Sequence, residues 1–579
     1  MAEFQIKKSP KVYDVCIVGS GAGGGMAAYI LSKAGLKIAL LEAGPMFDPA
    51  DPKIRTQLKW PYESPRRGAG TTRPFGDFDA AWGGWQIDGE PYTHKNGTEF
   101  DWFRSRMIGG RTNHWGRISL RFGPRDFKHK DVDGLGENWP IGYEDVAPYY
   151  DKVDKLIGVF GTREGIENEP DGHFLPPPKP RLHELMMKRG AEKVGVKVIH
   201  SRLSMLTRPI NDRKSCFYCS QCNRSCQIYA DFSSSSVLVK PALKTGNVDV
   251  FTNAMAREVL TDRNGQATGV SYVHKDDMQE YEVRAKTVVL AASACESARL
   301  LLNSKSAQHP NGLANSSNVV GKYLHDSTGA SRGAILPQLF GRKRYNEDGV
   351  GGMHLYTPWW LDNKKLDFPR GYHIEYGGGM GMPGYGFGFG MENMNGRFPA
   401  RDGKKKEAGG YGASLKDDYR YFYGAGFGMA GRGECIARED NYCEIDPNVV
   451  DKYGIPVLRF NYTWSDHEIK QAKHMQDTFE EIIHAMGGIP TGTKPGPESK
   501  YGLEAPGRII HEVGTVRMGD DPKRSAVNKF NQAHDCKNLF VVDGGPFVSQ
   551  ADKNPTWTIL ALSWRASENM IDQLKKGNI

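Results

Sequence analysis

Four cysteines fall in one eleven-residue stretch, Cys216-x-x-Cys219-x-x-Cys222-x-x-x-Cys226. Thiolates are soft ligands suited to iron–sulfur clusters or to zinc. The spacing is that of bacterial cluster-binding loops. Zinc sites more often use two separated pairs, so a cluster is the stronger expectation and structural zinc the alternative. Where such loops bind two clusters, the fourth cysteine serves the other cluster and precedes a proline. Here there is no second run, and Gln227 follows Cys226. The residues therefore point to a three-iron cluster, or to a four-iron cluster with a strained or remote fourth ligand. The other five cysteines, Cys16, Cys295, Cys435, Cys443 and Cys536, are dispersed, which is not a disulfide framework. Of these, Cys435 and Cys443 are considered as remote ligands.

A second constellation is Gly19-x-Gly21-x-x-Gly24. The first glycine permits a tight turn, the second lets backbone approach a pyrophosphate, and the third lets helix and strand pack closely. The helix that follows turns its free N–H groups toward the phosphates. The apolar run Val15 to Val18 reads as a buried parallel strand, Met26 to Ala34 as a helix, and Ile38 to Leu41 as a second strand ending at Glu42. A carboxylate there can accept both ribose hydroxyls. This strand–turn–helix–strand unit has the size of a dinucleotide-binding fingerprint. Its N-terminal position, with a second strand and helix at Lys286 to Asn303, favours FAD over NAD. Two further residues acquire interest only together: His511, in His511-Glu512-Val513-Gly514-Thr515, and Asn554, in Asn554-Pro555-Thr556. Oxidising an alcohol by hydride transfer needs a base for the hydroxyl proton, and imidazole titrates in the useful range. A second polar group must hold the same oxygen in register.

The elements that position these groups are set in a chain of 579 residues, enough for two or three domains. With 39% hydrophobic and 25% charged residues and a formal net charge of +8, the composition is that of an ordinary folded protein, and it gives no reason to infer nucleic acid. No apolar run approaches the roughly 18 residues of a membrane span. Met1 to Asp14 is polar and shows neither an apolar signal region nor twin arginines, so export or anchoring is expected to come from a partner. Residues 45–105 are expected to be loops and a lid around the dinucleotide site. The stretch from Trp139 to Phe160 reads as helix, and Glu167 to Pro180 as loop. Residues 372–433 read as an irregular aromatic insertion, and Trp359, Trp360 and Tyr385 of the 351–433 region are candidates for stacking contacts. A strand at Asn538 to Asp543 and a helix from Pro555 to about Leu574 close the chain.

Taken together, these motifs resemble the glucose–methanol–choline (GMC) oxidoreductase family. The resemblance includes Leu41-Glu42-Ala43-Gly44 and the loop Gly109-Gly110-Arg111-Thr112-Asn113-His114-Trp115-Gly116. It continues through Trp139-Pro140-Ile141, Pro148-Tyr149-Tyr150, Val288 to Ser304, Val541-Val542-Asp543-Gly544 and Asn554-Pro555-Thr556. It implies an α/β fold in which an FAD-binding Rossmann-like domain (residues 1–60, 95–150, 235–330 and 505–579) is interwoven with a mixed-sheet α+β substrate domain (150–215 and 330–505). Residues 211–232 would form the cluster loop. It implies His511 as catalytic base with Asn554 as its partner. It places Gly19, Gly21, Gly24, Glu42, Gly110, Asn113, His114, Ala256, Asp543, Asn554 and Thr556 about the FAD. His114 matches a position that carries a covalent flavin link in some members.

The cysteine pattern resembles a subgroup of bacterial sugar dehydrogenases with a three-iron cluster on C-x5-C-x3-C. That singles out Cys216, Cys222 and Cys226, with Cys219 spare. The subgroup implies oxidation of a ring hydroxyl of a sugar or glycoside, closest to glucoside 3-dehydrogenases. It further implies a small subunit bearing the export signal, a multihaem cytochrome c acceptor, and a periplasmic place reached through that partner, the cytoplasm being the alternative. The rival readings are a C1-oxidising glucose dehydrogenase, an enzyme like pyranose 2-oxidase, and a non-catalytic flavoprotein with a four-cysteine zinc site.

Overall fold

A computed structural model describes residues 11–51, 82–219, 222, 225–343, 349–358, 365–380 and 412–579. Trp359, Trp360 and Tyr385 lie outside the described residues. The strand Val12–Val18 runs at the centre of a seven-stranded sheet, with Val15, Cys16 and Ile17 fully buried. It pairs in parallel with Ile38–Leu41 on one side and Glu280–Leu290 on the other, and Val248–Phe251 extends the first side. The eleven-residue strand Glu280–Leu290 divides its second edge. Its first half pairs antiparallel with Ala267–His274, and its end pairs in parallel with Leu539–Val541. Ala254–Thr261 completes the sheet by pairing with Ala267–His274. The apolar runs of the parallel strands fit burial on both faces.

The helix Ala22–Lys33 starts directly after Gly21, four residues earlier than its apolar pattern predicts. Three glycines in its first turn lack side chains to show helical periodicity, and glycine's low helix propensity masks the start. The C-terminal helix Thr556–Lys575 packs beside it, and Ser563 Oγ donates to the Gly23 carbonyl at 2.7 Å. Tyr143–Ile157 and Ala294–Asn303 are helices within the stretches that read as such. Of the expected lid, residues 45–51 and 82–105 are described, and they are mostly irregular, with short pairings such as Gly83–Gly84 with Arg104–Ser105.

Residues 372–380 and 412–433, the described parts of the expected aromatic insertion, depart from the sequence reading. Tyr372–Gly378 and Gly426–Gly433 are paired strands, with the helix Gly412–Phe422 before the second. With Thr328–Ile335 and Ile489–Pro490 they form a four-stranded sheet whose pairings are all antiparallel. The expected mixture of strand directions is found in the seven-stranded sheet instead. Glycine in a strand runs against β-propensity, but here a helix fills the space. A Cβ on Gly431 would lie 2.5 Å from Met475 Sδ, and one on Gly433 2.0 Å from Gln471 Oε1. Both partners belong to Asp466–Ala485, whose buried face includes Ala472, Met475, Phe479 and Ile482. That helix is started by Ser465, whose backbone N–H is accepted by Glu468 at 2.7 Å. The sheet and its helix share one hydrophobic core, distinct from the two that flank the seven-stranded sheet.

Candidate active site

One cavity runs from Glu42 and Ala256 past the glycine turn to His511 and Asn554. At the turn, Gly19 has φ +92°, open to glycine without strain. A Cβ on Gly24 would meet the Gly19 carbonyl oxygen at 1.9 Å, whereas one on Gly21 would project into open space. The third glycine thus closes helix onto turn, and the second leaves room in the cavity. Glu42 is buried. One of its oxygens accepts from the Ser20 hydroxyl (2.5 Å) and N–H (3.1 Å), the other from the Gly44 N–H (3.2 Å). Burial raises its carboxyl above the usual range.

Gly110, His114, Asp543 and Thr556 also line the cavity, Thr556 at the start of a twenty-residue helix. Asp543 is buried and pushed up to about 6 despite accepting from Ser297 Oγ and the Gly545 N–H. His114 contacts Ser105 Oγ at 3.2 Å, and burial with Arg117 and Arg111 lowers it to about 3. Gly24 and Asn113 stand behind the lining. Asn113 braces the 109–116 loop: its amide donates to the Ile108 and Gly110 carbonyls and accepts from Ser235 Oγ at 2.7 Å.

His511 and Asn554 meet at the other end, with His511 Nε2 3.1 Å from Asn554 Nδ2. Ser327 Oγ is 3.1 Å from His511 Nδ1 and accepts from Gln550 Nε2 at 2.7 Å. With the Asn554 amide donating to Nε2, Nδ1 carries the ring proton and donates to Ser327. The backbone N–H groups of His511 and Ser327 both donate to Asp326 Oδ1, at 2.8 and 2.9 Å. Burial first, then Arg432, lower His511 to about 3, while the Glu375 carboxylate pulls the other way. The imidazole is therefore neutral at ordinary pH and carries its lone pair at Nε2, where the Asn554 amide meets it. Glu375 is itself held ionised, lowered to about 2 by Arg432 and His373 despite its burial. Asn554 Oδ1 and Gln550 Oε1 are buried without a hydrogen-bond partner among the described residues. Orphaned acceptors of this kind are costly, and bound polar groups would satisfy them. Ser327, Gln550 and Glu375 escape sequence reasoning because no motif marks them.

The cysteine run stands behind the 109–116 loop. Cys222 and Cys226 are buried, Cys216 and Cys219 partly so. Left-handed backbone at Tyr218, Ser225 and Tyr229 turns the chain about them. Backbone N–H groups of Tyr218 and Ala230 donate to the sulfurs of Cys216 and Cys226 at 3.3 Å. Ser225 Oγ donates to the Asn113 carbonyl at 2.7 Å, joining the two loops. Burial pushes the Cys216 thiol to about 11 and Cys226 to about 12, and Cys222 is raised by burial and by Asp231. A metal's positive charge is what would make thiolates of them. Among the described residues, the trio of possible ligand atoms all within 4.8 Å is Asp126, His129 and Glu434; no three of these thiols come so close. Cys435 contacts Tyr462, and Cys443 contacts Cys295, so the two remote candidates are engaged elsewhere. Four consecutive serines after the run, Ser233 to Ser236, clamp the parts together. Ser234 bonds Thr112 Oγ1 and the Ser20 carbonyl, and Ser235 bonds Asn113.

Residues 21–328 and 437–563 match the two family models described as GMC oxidoreductase. The chain belongs to the GMC oxidoreductase family. It is an FAD-dependent enzyme acting on CH–OH donors. The residues present fit that cofactor: an open glycine turn, a buried acid beside it and two helix starts lining one cavity. This GMC oxidoreductase is 29% identical to 2-methyl-1,2-propanediol dehydrogenase of Mycolicibacterium austroafricanum, over 96% of this chain and 94% of the relative. It is 27% identical to the fructose dehydrogenase large subunit of Gluconobacter japonicus, over 97% and 98%. It is 25% identical to the gluconate 2-dehydrogenase flavoprotein of Pantoea cypripedii, over 98% and 94%. Among solved structures, the crystal structure of pyridoxine 4-oxidase from Mesorbium loti shares the fold, with TM-score 0.60 and 18% identity over 96% of this chain and 99% of that one. Membership of an enzyme family removes the reading as a non-catalytic flavoprotein.

Proposed function

We propose that this GMC oxidoreductase oxidises a ring hydroxyl of a sugar or glycoside, at C3, and passes the electrons through an iron–sulfur cluster to a cytochrome. The observation that carries the reading is the single hydrogen bond from Ser225, next to Cys226, to Asn113 in the loop that lines the flavin cavity. An enzyme that reduced oxygen directly would need no one-electron exit beside its flavin. His511 takes the hydroxyl proton at Nε2. Asn554 holds the same oxygen, so the C–H bond is presented in one orientation. Ser327 and Gln550 keep the tautomer, and the ionised Glu375 compensates the charge His511 acquires. Bound FAD supplies the hydride acceptor and can release electrons singly. Cys216, Cys222 and Cys226 would hold a three-iron cluster, with Cys219 as bystander and a four-iron cluster as the variant.

Gly19, Gly21, Glu42, Gly110, His114, Ala256, Asp543 and Thr556 would hold the FAD, with Gly24 and Asn113 shaping its walls. We place the FAD-binding domain at 1–60, 95–150, 235–330 and 505–579, and the substrate domain at 150–215 and 330–505. Relatives named as a large subunit and as a flavoprotein of sugar-related dehydrogenases support partners for this chain. Those partners are a small subunit carrying the export signal and a multihaem cytochrome c, which place the enzyme in the periplasm. No helix among the described residues is long and apolar enough to cross a membrane. NMR of the products formed from a panel of glucosides with an artificial acceptor tests the reading. A 3-keto-glycoside is expected. Oxidation at C1 or C2, or turnover of simple diols with none of glycosides, defeats the substrate assignment.

A further inference from the structure

The cysteine loop and the flavin loop also meet at a buried ion pair, and neither partner is needed for the roles above. Arg117 closes the loop that begins at Gly109. Its guanidinium is 2% exposed, donates to the Asn113 carbonyl at 3.0 Å and to the Trp115 carbonyl, and pairs with Asp231 at 2.7 Å. Asp231 lies five residues beyond Cys226, is equally buried, and has its backbone carbonyl held by Arg213 at 3.2 Å. Arg117 adopts left-handed backbone (φ +61°), sparsely populated for a long side chain. Its own carbonyl is held by the Ser204 N–H and the Ser119 hydroxyl, both at 2.9 Å.

Stability is a poor reason for such a pair. Desolvating two charges is costly, and apolar replacements of a buried pair are often neutral or stabilising. The position suggests another reason. Asp231 follows Ala230, whose backbone N–H donates to Cys226 Sγ at 3.3 Å, and the Asn113 carbonyl that Arg117 holds also accepts from Ser225, the neighbour of Cys226. The guanidinium thus stands between the wall of the flavin cavity and the cysteine run, touching backbone of one and the carboxylate of the other.

We propose that the Arg117–Asp231 pair sets the reduction potential of a cluster held by Cys216, Cys222 and Cys226, an inference that rests on the cluster reading given under the proposed function. Oxidation of the substrate's CH–OH group gives two electrons to FAD; each reduction at such a cluster would take one of them, the second following in a further such step, and would make or break no bond at the sulfurs. Arg117 favours the added negative charge and Asp231 opposes it, more strongly in a buried site than in water. Redox titration of the cluster-loaded holoenzyme, followed by electron paramagnetic resonance, tests this in four proteins: wild type, Arg117→Gln, Arg117→Lys and Asp231→Asn. The midpoint is expected to fall in Arg117→Gln, rise in Asp231→Asn and stay in Arg117→Lys. A structural role would not produce shifts of opposite sign. Midpoints that stay at the wild-type value, or move the same way in both charge variants, overturn the proposal. So does loss of the cluster from both charge variants with retention in Arg117→Lys. A wild-type protein without any iron–sulfur signal overturns the cluster reading itself, and the proposal with it.

Discussion

As the proposed base, His511 would receive a proton, yet its surroundings oppose a positive charge. Burial and Arg432 lower it to about 3, so the folded protein keeps it neutral where a free histidine titrates near 6.5. A histidine depressed on folding stays deprotonated as pH falls, until pH approaches the folded value. The acid limb of kcat/KM set by this group therefore lies well below 6.5, and turnover persists at pH 5. A limb centred near 6.5 in the pH–rate profile would show that His511 titrates as a free imidazole and that its burial is not realised in the working enzyme. The pairing of His511 with Asn554 was legible once the two motifs were read together. Ser327 and Gln550 were not, because they act in sequence, Gln550 on Ser327 across 223 residues of chain and Ser327 on the imidazole Nδ1 across 184.

At the scale of elements, the glycine turn separates two kinds of constraint that look identical in sequence. Gly24→Ala drives a Cβ to 1.9 Å from the Gly19 carbonyl, so helix and turn must part. Overpacking of this kind costs about 1–3 kcal/mol. Gly21→Ala meets nothing within 4 Å and adds its methyl to the cavity. Thermal melts of apoprotein and the bound FAD in purified protein distinguish them. Gly24→Ala is expected to lower both, and Gly21→Ala only the second; equal melting losses would contradict this division. The strand–turn–helix–strand unit was readable because its strands are apolar runs and its turn is glycine. The strands Tyr372–Gly378 and Gly426–Gly433 were not, since their glycines match no strand pattern, and Gly431 and Gly433 make sense only beneath Met475 and Gln471 of the packed helix.

Across the whole molecule, three segments far apart in sequence close on one cavity. The glycine turn and the 109–116 loop, which make up two of these segments, supply one wall, and the C-terminal segment carrying both His511 and Asn554 supplies the end proposed to be catalytic. The cysteine run backs the second of these segments through Ser225, Arg117 and the serines that follow it. The run itself was evident from spacing alone. Its contact with the flavin loop was not, because it depends on single hydrogen bonds between segments about 110 residues apart. Central to the proposed activity is His511 as the base of a flavin-dependent alcohol oxidation. Anaerobic mixing of FAD-loaded enzyme with glycoside, followed by flavin absorbance, tests it directly. His511→Ala should retain FAD and lose roughly 10²–10⁴-fold in the rate of substrate-driven flavin reduction. Reduction at the wild-type rate in that variant would contradict the account.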